Sequence, residues 1–189
     1  LTTAADVAKD AGCVQQAQAA GPFGPRELLG FDQVLPPEAP GPFAASYDLG
    51  PGRGDTKVRN LSTRRCMLGV GRGAREAFAG TSYVRTEITL EKAQDYVLRL
   101  ESPNSLVLWV DGKEIDRVDL RTQPAFGVRF LPLTLSAGKH EFKVKVSSRH
   151  PNPVVALSLV PGTLRDIEQV AIPENATSLE RYVAAKIAL

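Results

Sequence analysis

Residues 94–113 read Gln94-Asp95-Tyr96-Val97-Leu98-Arg99-Leu100-Glu101-Ser102-Pro103-Asn104-Ser105-Leu106-Val107-Leu108-Trp109-Val110-Asp111-Gly112-Lys113. Tyr96, Leu98 and Leu100 alternate with Val97, Arg99 and Glu101, the period of a strand whose two faces meet different surroundings. Leu106, Leu108 and Val110 continue the apolar set in a second strand. A Ser-Pro-Asn-Ser turn separates the two, and Asp111-Gly112 at the far end is a hairpin signal.

The same texture extends outward. Upstream, Val84, Thr86, Ile88 and Leu90 alternate with Arg85, Glu87 and Thr89. Downstream come Ile115, Val118 and Leu120, then a strand region from Phe126 to Leu135 in which Pro132 marks an irregularity or an edge. Phe142, Val144 and Val146 alternate with Glu141, Lys143 and Lys145, and Val155, Leu157 and Leu159 close the series. About seven short strands joined by turns, without helices between them, predict a mainly β fold. The expected form is an antiparallel jelly-roll β-sandwich.

The flanks differ. Thr3-Ala4-Ala5-Asp6 has the hydroxyl and acid of a helix start, and Ala4, Val7, Ala8, Ala11 and Val14 recur at helical spacing. Residues 1–20 are therefore predicted as a helix packed on the sandwich. Residues 21–160 are assigned to the sandwich itself, and their first part, 21–56, is rich in Pro and Gly. Phe23, Leu28, Leu29, Phe31, Val34 and Leu35 within it favour an ordered wrap over a linker. Residues 161–189 read as a linker and a C-terminal helix, with Thr177-Ser178-Leu179-Glu180 as a capping box. The start at Leu1 leads to the expectation that an upstream piece has been removed. The apolar helix reaching Leu189 leads to that of a further, helical repeat region downstream.

Bulk properties narrow the classes of function. The chain has 189 residues, 43% of them hydrophobic and 23% charged, as in ordinary globular proteins. A formal net charge of +2 gives no electrostatic reason to expect nucleic acid or an anionic membrane as partner. The longest apolar run, Leu106–Val110, is strand-sized, so no membrane span is expected. Cys13 and Cys66 match no zinc or redox spacing. They are read as a disulfide tying the N-terminal helix to the sheet, typically worth about 2–4 kcal/mol, which points to an extracytoplasmic address.

Catalytic and cofactor signals are weak. Gly69-Val70-Gly71-Arg72-Gly73-Ala74 lacks the βαβ setting of a dinucleotide fingerprint and the lysine of a phosphate loop, so it reads as a flexible loop. His140 and His150 have no partners at metal-ligand spacing, and no metal or other cofactor is expected. No nucleophile elbow is present. Asp116 and Asp119 read as solvated charges and not as a glycosidase pair, so no enzyme is predicted. Arg53-Gly54-Asp55 reads as turn chemistry. Asn60-Leu61-Ser62 and Asn175-Ala176-Thr177 are formal glycosylation sequons, meaningful only in a eukaryotic secretory setting.

The order of these signals carries a resemblance. Gly21-Pro22-Phe23, Gly30-Phe31-Asp32 and Pro36-Pro37-Glu38 are followed by Tyr83-Val84-Arg85-Thr86. Then come Ser102 to Lys113 with its Trp109 strand and Asp-Gly turn, Leu135-Ser136-Ala137-Gly138-Lys139-His140 and Lys143-Val144-Lys145-Val146. The series resembles bacterial β-sandwich modules of the protective-antigen-type and galactose-binding-like jelly-roll group, over about residues 21–160. The resemblance implies an accessory, often glycan-binding, domain of a secreted or envelope-associated protein, of a kind that can stand ahead of a tetratricopeptide-like region. Many glycan-binding members carry an acidic turn that holds Ca²⁺. Here that turn is Pro103-Asn104-Ser105, with none of the anionic oxygens a hard cation wants.

Two readings of function stand beside each other. One is a non-catalytic binding module with carbohydrate as ligand class, contacted by Asn104, Ser105, Asp111 and Lys113 with Trp109 as platform. An indole on an outer sheet face can stack on a pyranose ring, or it can pack beneath a covering segment. The other is a structural or protein-interaction domain, capping a helical array and binding no sugar.

Overall fold

The computed structural model describes residues 12–23, 30–50, 52–63, 66–71, 80–120, 127–149 and 153–165. Within them the chain forms the strands β1 (Gln16–Phe23), β2 (Ser46–Asp48), β3 (Asp55–Lys57), β4 (Arg59–Ser62), β5 (Met67–Gly69) and β6 (Gly80–Leu90). There follow β7 (Gln94–Ser102), β8 (Ser105–Val110), β9 (Lys113–Val118), β10 (Gly127–Leu135), β11 (Gly138–Ser148) and β12 (Val154–Pro161). A six-stranded sheet has the order β4-β1-β6-β11-β8-β9, a four-stranded sheet the order β10-β7-β12-β5, and β2 and β3 form a small ribbon. All the pairings are antiparallel.

The period-two pattern explains the layers. Val84, Leu108 and Val144 of the six-stranded sheet and Leu98, Leu100 and Leu157 of the four-stranded sheet join one buried cluster. Fully burying a side chain of this size contributes about 1.5–3 kcal/mol, and this interior is the main reason the sheets stay together. From β6 to β12 the chain changes sheet at every connection except the β8–β9 hairpin. That path is consistent with a jelly roll.

The turn at Ser102-Pro103-Asn104-Ser105 joins strands that do not pair. β7 bonds to β10 and β12, whereas β8 bonds to β11 and β9. Both strands carry leucines on one face, and crossing the gap sets those faces opposite each other with oil between them. Pro132 lies on β10, an edge strand, where a missing N–H costs least.

The predicted N-terminal helix needs correction. Gln16–Phe23 is strand β1, inside the six-stranded sheet between β4 and β6. Alanine favours helix, but here Ala17 and Ala19 face the core and Gln16 and Gln18 alternate with them. A two-sided slot in a sheet outweighs a propensity of a few tenths of a kcal/mol per residue. Residues 1–11, the capping box at 177–180, the C-terminal helix, His150 and the segment 72–79 lie outside the described residues. No described helix reaches seven residues.

Cys13 and Cys66 are bonded to each other. Among the described residues the bridge meets no helix. It ties the approach to β1, where Cys13 pairs with Ser158 of β12, to the residue just before β5.

The wrap expected of residues 21–56 is present over 30–50 and 52–58. Tyr83, Phe23 and Ala20, on the outer side of the six-stranded sheet, form a second buried cluster with Leu35, Phe43, Tyr47, Leu49 and Val58 packed on it. Phe23 meets Tyr47 and Tyr83 edge to face at 5.7 and 5.8 Å. The alternating charges of β6 and β11 therefore do not all face water. Arg85, Lys143 and Lys145 are buried at 9%, 4% and 2% exposure.

Candidate functional site

Strand register sets the outer face of the six-stranded sheet in rows. One row runs Ala20, Tyr83, Lys145, Val107 and Arg117, and the arm lies over it. The next runs Asn60, Gln18, Arg85, Lys143, Trp109 and Glu114.

The arm is held by ion pairs and not by oil alone. The turn Pro36–Glu38 is closed by the Glu38 amide donating to the Leu35 carbonyl at 2.9 Å, with a proline pre-set at its start. Glu38 Oε1 accepts from the Tyr83 hydroxyl at 2.6 Å and from Lys145 Nζ at 2.8 Å. Lys145 Nζ also donates to the Gln33 carbonyl at 2.6 Å, and Lys143 Nζ to the Ala39 carbonyl at 2.8 Å. Two strand lysines thus hold two arm carbonyls. Burial, reinforced by the Glu38 carboxylate, raises the Tyr83 phenol far above its usual range and keeps it a donor.

Where the arm leaves the sheet, a cleft of ≈ 520 Å³ opens, within the usual size range of small-ligand sites. Half-buried Trp109 lines it, with Leu35 and Pro36 of the arm, Gly112 of the hairpin, and the polar groups Glu38, Glu141 and Lys143. Glu141 is fixed by Arg85 Nε on Oε2 at 2.6 Å and by Lys143 Nζ near Oε1 at 3.4 Å. The walls are apolar and aromatic, and the polar atoms are few and anchored. A larger hollow of ≈ 820 Å³ beside Cys13 and Tyr96 begins at Gly12, where the described chain begins. It lacks a comparable set of anchored charges beside an indole.

The hairpin beside the cleft is built by Asp111 and Gly112, at φ 50 and φ 78, both in the left-handed region a tight primed turn requires. Asp111 Oδ1 accepts from the Glu141 amide at 2.8 Å, and Oδ2 from His140 Nδ1 at 2.6 Å. The other ring nitrogen of His140 donates to the Ser136 carbonyl at 2.9 Å. Acceptors facing both nitrogens favour the protonated ring. The hydrogen bond to Asp111 outweighs burial and raises the His140 pKa above its usual value.

That clamp predicts a pH dependence. A His pKa raised on folding stabilises fully below the unfolded value of about 6.5 and fades as pH climbs through the folded value. Urea midpoints of the wild type should fall from pH 6 toward pH 8 relative to His140→Gln, which lacks this contribution. Parallel pH profiles for the two proteins would refute the assignment.

The sequence-predicted contacts do not converge on one loop cluster. Trp109, Asp111 and Lys113 are together at the hairpin end of β8, with Asp111 and Lys113 exposed. Asn104 and Ser105 are at the opposite end, buried at 5% and 0%. Ser105 Oγ accepts from the Leu120 amide at 2.9 Å. Ser102 Oγ donates to the Val154 carbonyl at 2.8 Å, and Asn104 Nδ2 bonds to Ser102 Oγ at 3.1 Å. These groups fasten the crossing between the sheets. Glu38, Glu141 and Lys143 were not singled out from the sequence. The available signal was the charge at alternate positions of β11, on the same sheet face as Trp109. Among the described residues no group of three or more His, Cys, Asp or Glu is placed to hold a metal ion.

No protein-family model matches the chain, and no curated protein matches it. Solved structures do. A β-glucosidase from Kluyveromyces marxianus is 10% identical over 85% of this chain and 20% of its own, with a TM-score of 0.49. The epithelial adhesin 9 A domain from Candida glabrata, in complex with Galb1-4GlcNAc, is 8% identical over 82% of this chain and 89% of its own, at 0.43. A family 35 carbohydrate binding module from Clostridium thermocellum is 11% identical over 51% and 89%, at 0.34. The chain spans a fifth of the β-glucosidase's length. Each likeness has a TM-score below 0.5. At these scores it assigns no activity.

Proposed function

We propose that this domain is a non-catalytic carbohydrate-binding module whose ligand rests against Trp109 in the cleft under the arm. The observation that carries the reading is the indole itself, half-buried beside anchored Glu141 and Lys143. A sugar offers an apolar ring face and a rim of hydroxyls. An aromatic wall with fixed donors and acceptors suits both. The hairpin contributes Gly112 to the cleft, Asp111 and Lys113 do not line it, and Asn104 and Ser105 at the far end of β8 are not part of this site.

Binding suits the carboxylates better than turnover does. Glycoside hydrolysis needs two carboxyl groups facing each other across the bound sugar, one of them a proton donor. Glu38 is held by Lys145 and Glu141 by Arg85, which makes both of them fixed posts. The disulfide supports an oxidising, extracytoplasmic address. A second reading, a protein ligand at the same cleft, is favoured by Val34, 86% exposed on its rim.

The test is a glycan array followed by titration of the best sugar. Trp109→Ala is expected to weaken binding by about 2 kcal/mol or more, near thirtyfold, as removal of a central aromatic anchor does. Trp109→Phe should retain part of it. Indifference to every glycan, or full affinity in Trp109→Ala, would sink the reading.

A further inference from the structure

The row that contains Trp109 does not stop at the cleft. Past Lys143 and Arg85 it continues through Gln18 to Asn60, one side chain per strand. There the sheet surface hollows again, into a groove of ≈ 540 Å³ lined by Gln16, Gln18, Asn60, Ser62, Arg85 and Glu87. The Arg85–Glu141 ion pair at 2.6 Å lies between the two hollows, since Glu141 lines one and Arg85 the other. At a strand spacing of about 4.8 Å, Trp109 and Asn60 are roughly 19 Å apart across β8, β11, β6, β1 and β4.

We infer that cleft and groove form one track, and that its ligand is a linear, uncharged oligosaccharide lying across the strands. The inference rests on the carbohydrate reading of the Trp109 cleft and names the ligand's length and charge. Three observations carry it. The register aligns the two hollows on a single row. Gln16, Gln18, Asn60 and Ser62 present neutral amides and a hydroxyl, groups that both donate to and accept from sugar hydroxyls. The charges along the row are already matched within the protein: Arg85 with Glu141 and Glu87, Lys143 with Glu141, Lys139 with Glu87. A polyanion or a polycation would have to compete with these existing pairs for its contacts. A neutral chain disturbs none of these pairs.

The test is calorimetric titration of the 189-residue chain with gluco-, manno- and galacto-oligosaccharide ladders, from monosaccharide to hexasaccharide. In the wild type, affinity for the recognised ladder should keep rising beyond the disaccharide, by about tenfold, the size of two net hydrogen bonds. Gln18→Ala combined with Asn60→Ala should remove that rise and leave disaccharide affinity unchanged, with an unaltered urea midpoint as the check on folding. Asn60→Trp, which fills the groove from an exposed strand position, should do the same. Trp109→Ala should weaken every length. A flat length profile with Trp109-dependent binding would overturn the track and leave the cleft standing, as would a length gain that survives both groove variants. Failure of every ladder would overturn both.

Discussion

Replacing Lys145 by methionine is expected to cost about 3–5 kcal/mol, the usual loss when one member of a buried ion pair is removed. Lys145 is 2% exposed and has two duties: it pairs with Glu38 at 2.8 Å and donates to the Gln33 carbonyl at 2.6 Å. Without the ammonium, the Glu38 carboxylate stays under the arm with the Tyr83 hydroxyl as its remaining strand partner, and the Gln33 carbonyl loses its lysine donor. The cheaper outcome is for the arm to lift, exposing the cluster of Phe23 and Tyr83 to water. Urea unfolding should show the lowered midpoint, and limited proteolysis should show cleavage within residues 30–50 before the sandwich opens. Adding Glu38→Gln to Lys145→Met removes the stranded charge and should recover part of the loss. A single variant within about 0.5 kcal/mol of the wild type, the range of ordinary surface changes, would show that the arm is held by its apolar contacts alone. Because the Trp109 cleft has one wall on the arm, the same variant should also weaken sugar binding without touching the sugar.

Breaking the Cys13–Cys66 bridge is the second large effect. The bridge closes a loop with a sequence separation of 53. In the chain-entropy account, releasing such a loop costs about 4 kcal/mol of stability, through the unfolded state. The native side adds a local consequence. Gly12 to Val14 runs beside β12, with the Leu159 amide on the Gly12 carbonyl at 3.0 Å and the Val14 amide on the Leu157 carbonyl at 2.9 Å. These bonds are short in number and depend on the tether. Cys13→Ala with Cys66→Ala should lower the urea midpoint with little change in slope, and dithiothreitol should do the same to the wild type only. A loss under about 1 kcal/mol would mean that the bridge decorates a segment already held by its neighbours.

How much of this was legible beforehand differs by element. The strands from β6 to β12 follow from alternation, because a residue in a sheet cannot hide which of its neighbours prefers oil. The Asp111-Gly112 hairpin was legible for the same local reason: two consecutive positive φ angles demand those residues. The Ala-rich start was not. Gln16 to Ala19 suits a helix by propensity and a strand by alternation, and a slot between β4 and β6 decided between them.

The site divides along the same line. Trp109 was conspicuous as the only indole on an outward position, while Glu38 was one acid in a Pro-rich stretch. Its importance arises from Tyr83 and Lys145, 45 and 107 residues further along the chain. Asn104 and Ser105 looked like loop tips, yet they are buried fasteners, because the turn they occupy passes between layers and not around a hairpin.

From the sequence alone come the class of structure, the faces of its strands and the pairing of its two cysteines as a reasonable reading. Only the tertiary structure decided which strands are neighbours, what covers the outer face and which charges meet there. The physical reason is that alternation is a local property of the chain, set by a side chain's distance from water. Register, coverage and ion pairing belong to residues brought together across long separations, and each is settled by packing after the strands exist.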